Sequence, residues 1–248
     1  MVTRLGVDIG GSGIKGAPVD LDSGTLTRKR VRLKTPQPSL PDQVSLTLRR
    51  IVESFPGVTG PIGCAFPAIV ISGRAHSAAN LDDSWIGVDA AALFSEACSR
   101  EVTVINDADA AGLAEARMGA AAGRDGVVIV LTLGTGIGSA LLHDGKLVPN
   151  TELGHLHLGG QAIEKTVSNR ARKTEQLSFK EWAGRLNHYL AHLDRLFSPD
   201  LVVLGGGISK KFGKFGPLLR ARAEIVPAAL RNDAGIVGAA LSVDPWIG

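Results

Sequence analysis

Two stretches of the chain repeat one short pattern, and that repetition limits what the chain can fold into. The first is Leu5–Gly16, LGVDIGGSGIKG. An apolar run (Leu5, Val7, Ile9) carries one acid, Asp8, and breaks into Gly10-Gly11-Ser12-Gly13 before Ile14-Lys15-Gly16. The second is Gly126–Leu133, GVVIVLTL, which ends in Gly134-Thr135-Gly136-Ile137-Gly138 and continues as Ser139–Leu142. Asp8-Ile9-Gly10-Gly11 matches Thr132-Leu133-Gly134-Thr135, and Gly13-Ile14 matches Gly136-Ile137 after a one-residue gap. Each reads as a strand, a glycine hairpin and a second strand. A strand ending in glycines lets the backbone turn tightly and brings bare N–H groups close to an anion. Ser12 and Lys15 add a hydroxyl and a cation suited to phosphate oxygens. Asp8 would repel a phosphate standing alone, and a bound Mg²⁺ reconciles the two charges. The pattern predicts one structural unit used twice, with two phosphate-facing hairpins opposed across a cleft.

Composition narrows the class. With 248 residues, 44% of them apolar, and 31 glycines, the chain fits an α/β protein with a sizeable core and many tight turns. Only Cys64 and Cys98 are present, so neither a disulfide framework nor a four-cysteine zinc site is expected, and a reducing cytoplasm is the default. The first residues, MVTRLGVDIGG, run straight into a strand, and no apolar run is long enough to span a bilayer, so no signal peptide and no membrane partner are expected. The net charge is +3, and the basic residues cluster in Arg28–Lys34, in Arg170–Lys173 and in Lys210-Lys211 with Lys214. Such runs usually mark solvated faces. Nucleic acid is not the expected partner, because aromatic residues make up 4% and no helix-turn-helix, zinc-finger or base-stacking set is present. A smaller polyanion stays open.

Along the chain, Asp22-Ser23-Gly24 signals a turn before Leu26–Leu33, and Pro36, Pro38 and Pro41 mark a loop. Helical spacing of Val44, Leu48, Ile51, Val52 and Phe55 predicts an amphipathic helix over Asp42–Phe55. Pro61–Phe66 and Ile69–Ser72 read as short strands, Asp89–Ser99 as a second helix, and Val102–Ile105 as a buried strand ending at Asn106-Asp107. An Ala-rich helix follows through Met118, closed by Gly119 and Gly123. Pro149–Thr174 reads as loop-rich. Ser178 then opens a helix through the capping pattern Ser178/Glu181 and runs to Phe197. Leu201–Leu204 is a strand ending in Gly205-Gly206-Gly207, and a last helix spans Ala234–Ser242. The expected domains are 1–118 and 119–248, with the C-terminal helix region 234–248 able to pack back on the first.

Taken together, VDIGGSGIKG, VINDADAAGLAE, LTLGTGIG, ELGH and LVVLGGGIS, in that order, resemble the ROK sugar kinases of the hexokinase–actin superfamily. ELGHLHLGGQAIE, SFKEWAGRLNHYL and NDAGIVGAA resemble in particular the polyphosphate glucokinase branch of that family, which includes polyphosphate/ATP-glucomannokinases. The resemblance covers essentially the whole chain. It implies an α/β actin-like ATPase (hexokinase/ribonuclease H-like) fold of two domains with a central cleft and sugar at its base.

Asp107 stands at the carboxyl end of a predicted strand, where open α/β sheets place ligands. A carboxylate there can take the proton of a sugar hydroxyl as the bond to phosphorus forms, and it can equally cap the following helix. By the resemblance, Asp107 is the general base acting on the 6-hydroxyl. By the same resemblance, Asn80, Asn106, Glu152, His155 and Glu164 are expected to bind sugar hydroxyls, and the Glu152/His155 spacing allows both onto one side of a turn. Asp8, Gly10, Gly11, Ser12, Gly13 and Lys15 belong to the first phosphate hairpin; Thr132, Gly134, Thr135 and Gly136 belong to the second. Gly205, Gly206 and Gly207 match the adenosine motif, so ATP is expected as donor beside polyphosphate. Asp8 is the expected ligand of Mg²⁺, through water. His157 has no such support and is left as structural.

The chain departs from the wider family at Leu158–Glu164, where many members carry a cysteine-rich zinc motif and this one has no cysteine. No structural zinc is therefore expected. The expected reaction moves a terminal phosphoryl from inorganic polyphosphate or ATP to O6 of glucose, with mannose as a further acceptor, in a monomer or homodimer. An ATP-only kinase for glucose, fructose, mannose or an N-acetylated sugar, and a non-catalytic sugar-sensing module, are the alternatives. Of the basic runs, Arg170–Lys173 and Lys210–Lys214 follow site motifs and are placed first as a track for a polyphosphate chain.

Overall fold

A computed structural model describes residues 2–78 and 80–243. The chain forms β1 (Thr3–Gly10), β2 (Gly13–Asp20), β3 (Val31–Leu33), α1 (Pro41–Glu53), β4 (Ile62–Phe66), β5 (Val70–Ile71), β6 (Arg74–Ala75), α2 (Ala90–Cys98), β7 (Val102–Asn106) and α3 (Asp107–Met118). It continues through β8 (Val127–Leu133), β9 (Ile137–His143), β10 (Lys146–Val148), β11 (His157–Leu158), β12 (Gln161–Ala162), α4 (Glu164–Val167) and α5 (Asn169–Thr174). The last elements are α6 (Phe179–Phe197), β13 (Leu201–Gly205), α7 (Phe212–Phe215), β14 (Glu224–Pro227) and α8 (Ala234–Leu241). Two compact units result: residues up to Ala114 together with those from Asp233 onward, and Glu115–Asn232. The division falls inside α3.

Each unit is built on one five-stranded sheet, and the two sheets have one topology. The first runs β3-β2-β1-β4-β7 and the second β10-β9-β8-β13-β14. In each, two antiparallel pairs (β1/β2 and β2/β3; β8/β9 and β9/β10) are followed by two parallel ones (β1/β4 and β4/β7; β8/β13 and β13/β14). The repeated unit expected from the glycine hairpins is present, sheet for sheet.

The two sheets are covered differently. In the first unit Leu5, Val7 and Ile9 alternate onto one face and bury against Val44, Leu48 and Ile51 of α1. Phe66, Trp85 and Phe94 close this core, with ring centroids 4.7–5.9 Å apart. Where α8 lies on the opposite face, the sheet carries glycine and alanine. Gly6 pairs with Gly63 across β1/β4, and the backbone of α8 lies directly on both, so that a side chain at Gly63 would strike the Ala239 carbonyl. In the second unit the residues matching Gly6 and Gly63 are Val130 and Val203, themselves a cross-strand pair, and both are buried. The other face of that sheet packs on α6, whose Trp182, Leu186, Tyr189, Leu190 and Leu193 recur at helical spacing and are fully buried, each contributing about 2–3 kcal/mol by removal from water. The capping box at the start of α6 is formed: Ser178 Oγ accepts from the Glu181 amide while the Glu181 carboxylate accepts from the Ser178 amide.

Some local expectations need correction. Leu26–Leu33 yields only the three-residue strand β3, with Leu26 bridging Val19 by itself, because Arg28, Lys29 and Arg30 stand in solvent and cannot sustain an alternating buried face. Pro149–Thr174 is not irregular throughout; it holds β11, β12, α4 and α5, which are too short to show periodicity. The strand β14 and the helical turns after Gly207 were not expected. α8 covers Ala234–Leu241 and packs on β1 and β4 in the first unit. Of the expected C-terminal region, 244–248 lies outside the described residues. Among the described residues, no helix is long and apolar enough to cross a membrane.

Candidate active site

In the first unit β1 and β2 close a tight hairpin. Gly10 pairs with Gly13, so Gly11 and Ser12 form the turn, and Ser12 is exposed. Contacts from the proline loop fix its shape. Thr35 Oγ1 donates to the Gly10 carbonyl, and Gln37 Nε2 donates to the Gly11 carbonyl at 3.3 Å. Both turn carbonyls are thereby occupied as acceptors. A side chain at Gly11 would meet the Asn80 carbonyl at 2.8 Å, which places Asn80 beside the turn, while the Arg32 guanidinium lies on Gly13. Asp8 sits opposite Lys15 across the strands, with Nζ to Oδ2 at 3.0 Å and both side chains partly exposed. Lys15 is therefore tied first to Asp8.

The same sheet carries the proposed base. Asp8 pairs with Ala65 and Ala65 with Ile105, so the carboxyl ends of β1, β4 and β7 share one edge. Two strand spacings separate Asp8 from Ile105 in that row, about 10 Å, and Asp107 follows two residues on, half-buried in the first turn of α3. The cap of α3 comes from its neighbour: Asn106 Oδ1 accepts from the amides of Ala108 at 2.8 Å and Asp109 at 3.1 Å, and Nδ2 donates to the Ala68 carbonyl at 2.9 Å. Asn106 is thus buried and locked between β7 and the first turn of α3, next to Asp107.

The second unit gathers the remaining candidates. Leu133 pairs with Ile137, so Gly134-Thr135-Gly136 forms a three-residue loop, tightened by the Gly134 amide donating to the Gly136 carbonyl at 3.0 Å, with Thr135 exposed at its tip. Glu164 braces the loop: its Oε2 accepts from the Ile137 amide at 3.2 Å, and a side chain at Gly136 would run into it. Oε1 of the same carboxylate lies 3.7 Å from His155 Nε2. Glu152 precedes and His155 ends a single 3-10 turn, Leu153–His155, anchored to β9 by the Leu153 amide donating to Ser139 Oγ at 2.9 Å. Burial raises the Glu152 carboxyl above the usual range, opposed by His155 and reinforced by the Glu164 charge. Glu152, His155 and Glu164 therefore form one cluster at the base of the second hairpin. His157 stands exposed on β11.

Gly205 pairs with Thr132, which brings the third glycine run beside that hairpin. Gly206 has φ of +78° and lies so close to the Leu133 backbone that only glycine suits both conditions. The first turn of α5 joins the group, as the Arg170 amide donates to the Gly134 carbonyl at 3.1 Å.

Sequence reasoning did not find Thr35, Gln37, Ser139 or the bracing role of Glu164. The proline cluster was the only signal for the first two. Among the described residues, no group of three or more His, Cys, Asp and Glu side chains could hold a metal ion.

Comparison with known proteins completes the picture. A sequence profile described as "ROK family" matches residues 4–163. A polyphosphate glucokinase from Mycobacterium tuberculosis is 47% identical over 239 residues, covering 96% of this chain and 90% of that protein. The crystal structure of an inorganic polyphosphate/ATP-glucomannokinase from Arthrobacter sp. strain KM superposes with a TM-score of 0.93 at 50% identity, covering 98% of each chain. A glucokinase from Streptomyces griseus, in complex with glucose and AMPPNP, shares the fold with a TM-score of 0.83 at 24% identity over 97% of this chain and 98% of that one.

Proposed function

The chain belongs to the ROK family, and from that premise we propose that it is a sugar kinase taking its phosphoryl group from inorganic polyphosphate or ATP and giving it to glucose. Its fold is the actin-like ATPase fold. The observation that carries the reading is the near-complete coverage of relatives with this activity at 47% and 50% identity.

The reaction at the sugar is assigned to O6. Asp107 accepts the hydroxyl proton as the oxygen bonds to phosphorus, while the bond from that phosphorus to the donor's bridging oxygen breaks and the shortened polyphosphate or ADP leaves. Asn106 positions Asp107 and offers its remaining amide hydrogen to the sugar; Asn80, Glu152, His155 and Glu164 hold further hydroxyls. Negative charge on the transferring group is met by bare amides of the Gly11-Ser12 and Gly134–Gly136 turns, with Ser12, Thr132 and Thr135 adding hydroxyl donors and Lys15 a cation. Gly205–Gly207 receive the nucleotide when ATP is donor. Mannose, which differs from glucose at one carbon, is assigned as a further acceptor. Two free cysteines, Cys64 and Cys98, support a reducing cytoplasm as its compartment.

Mg²⁺ fits the residues present. Asp8 offers a partly exposed carboxylate with Oδ2 on Lys15 at the end of a glycine hairpin, which suits an ion that keeps its waters and relies on substrate phosphates. Bound there, it would neutralise phosphate charge. Long-chain polyphosphate supplied as sole donor, with glucose 6-phosphate read through a coupled dehydrogenase, tests the proposal. Product is expected; product with ATP alone would replace it by an ATP-only kinase.

A further inference from the structure

Two basic runs far apart in sequence meet on one surface of the second unit. Arg172 of α5 holds its guanidinium 4.8 Å from the centre of the Phe179 ring, and Lys214 of α7 holds Nζ 6.0 Å from the same ring. Phe179 is in turn stacked on Phe215 at 6.1 Å, so one aromatic side chain on a rigid base joins α5, α6 and α7. Arg172 is committed internally, with its Nε on Asn169 Oδ1 at 3.3 Å. Around it Arg170, Lys173, Lys210, Lys211 and Lys214 are all exposed, and none forms an ion pair with a described carboxylate. Two acids close to α5 in sequence are occupied: Glu175 by Arg185 at 2.6 Å, and Glu181 by the Ser178 hydroxyl and amide.

This surface starts at the phosphate loop. α5 is fastened to Gly134 through the Arg170 amide, and Lys210 and Lys211 end the 3-10 turn that follows Gly205-Gly206, itself beside Thr132. We propose that Arg170, Lys173, Lys210, Lys211 and Lys214 form a single binding track along which a linear inorganic polyphosphate chain leaves the Gly134–Gly136 loop. The inference rests on the polyphosphate-donor reading above. A chain with one charge on each phosphate unit matches a group of solvated cations lacking carboxylate partners, whereas a nucleotide, with its charge confined to one end, needs only the loop and the adjoining glycines. Arg28–Lys34 does not share this arrangement: Arg30 pairs with Asp233 at 2.6 Å, and Arg32 lies on Gly13 in the other unit.

Three double variants test the track: Arg170→Gln with Lys173→Gln, Lys210→Gln with Lys214→Gln, and, as an equal charge change elsewhere, Arg28→Gln with Lys29→Gln. Binding of long-chain polyphosphate and of tripolyphosphate is measured by calorimetry at low and moderate salt, with thermal melting as a check on folding. Each of the first two pairs is expected to weaken long-chain binding by about tenfold or more at low salt and to flatten its salt dependence by about 0.7 log units for each cation removed, by the counterion release seen with single-stranded polyanions. Tripolyphosphate should lose less, and the third pair should change long-chain binding less than about twofold. Equal losses in all three pairs, or no loss in either of the first two, would overturn the track. A wild-type protein that binds long chains through these residues and makes no sugar phosphate from them would instead overturn the donor reading and leave the track standing.

Discussion

The two hairpins share a register and differ in charge. In the first, Asp8 faces Lys15; in the second, at the matched place, Thr132 faces Gly138. The first is held from outside by Thr35 and Gln37 on its turn carbonyls, the second from within by Glu164 on the Ile137 amide. We propose that one supersecondary unit serves two tasks. The copy with an acid at its strand end suits a hydrated cation, and its sheet edge also carries Asp107. The copy with a neutral strand end gathers Glu152, His155 and Glu164, whose oxygens and ring nitrogens suit sugar hydroxyls.

The largest effect should come from the first unit's base. Asp107→Asn keeps the size of the side chain and removes its proton affinity, so kcat should fall by about 10²–10⁴-fold; steady-state kinetics with either donor checks this, and near-normal turnover would remove Asp107 from the chemistry. The difference in sheet packing gives the next. Gly63→Ala forces α8 off the sheet and should cost about 3 kcal/mol of stability, whereas Val203→Ala, at the matched position of the second unit, leaves a cavity costing about 1–3 kcal/mol. Urea unfolding of both variants compares them, and equal, small losses would show that α8 can shift freely. In the second hairpin, Gly136→Ala should displace Glu164 and lower kcat/KM for glucose by about 10–100-fold, while Gly134→Ala, which meets nothing within 4 Å, should leave Glu164 in place. Similar kinetics for the two would mean that Glu164 does not brace the loop.

The smallest expected effect concerns stability and pH. Burial raises the Glu152 carboxyl, so the folded state favours its protonated form. Its contribution to stability is fully present below the unfolded value near 4.5 and is lost as pH rises through the higher folded value. At neutral pH Glu152→Gln removes a charge that folding disfavours, so melting should rise by a few degrees at about 1 kcal/mol or less. The gain should vanish at pH 4. A melting temperature that falls at neutral pH would mean that the charged form is favoured instead.

Much of this was legible in the chain, for local reasons. The hairpins announce themselves through strands ending in glycine, and the Ser178/Glu181 box needs only four consecutive residues. Long-range contacts were not legible. Nothing in GVDIG says that Gly6 serves the backbone of a helix from the far end of the chain, nor that Thr35 and Gln37 reach back to the first turn. α4 and α5 are too short to complete a periodic pattern, so a loop was expected where two short helices brace the second hairpin. The cluster of Glu152, His155 and Glu164 was visible only through family resemblance, because Glu164 joins the other two through β11 and β12. Capping and catalysis were compatible readings of Asp107 from sequence; in the structure Asn106 Oδ1 accepts from the amides of Ala108 and Asp109.

The division of tasks between the two copies is tested most directly by glucose binding without any donor, measured by calorimetry on Asp107→Asn and Glu152→Gln side by side. Glucose affinity should stay within about threefold of wild type in Asp107→Asn and weaken by about tenfold or more in Glu152→Gln, where a charge-assisted hydrogen bond is lost. The opposite order, with binding lost at Asp107 and kept at Glu152, would contradict the account.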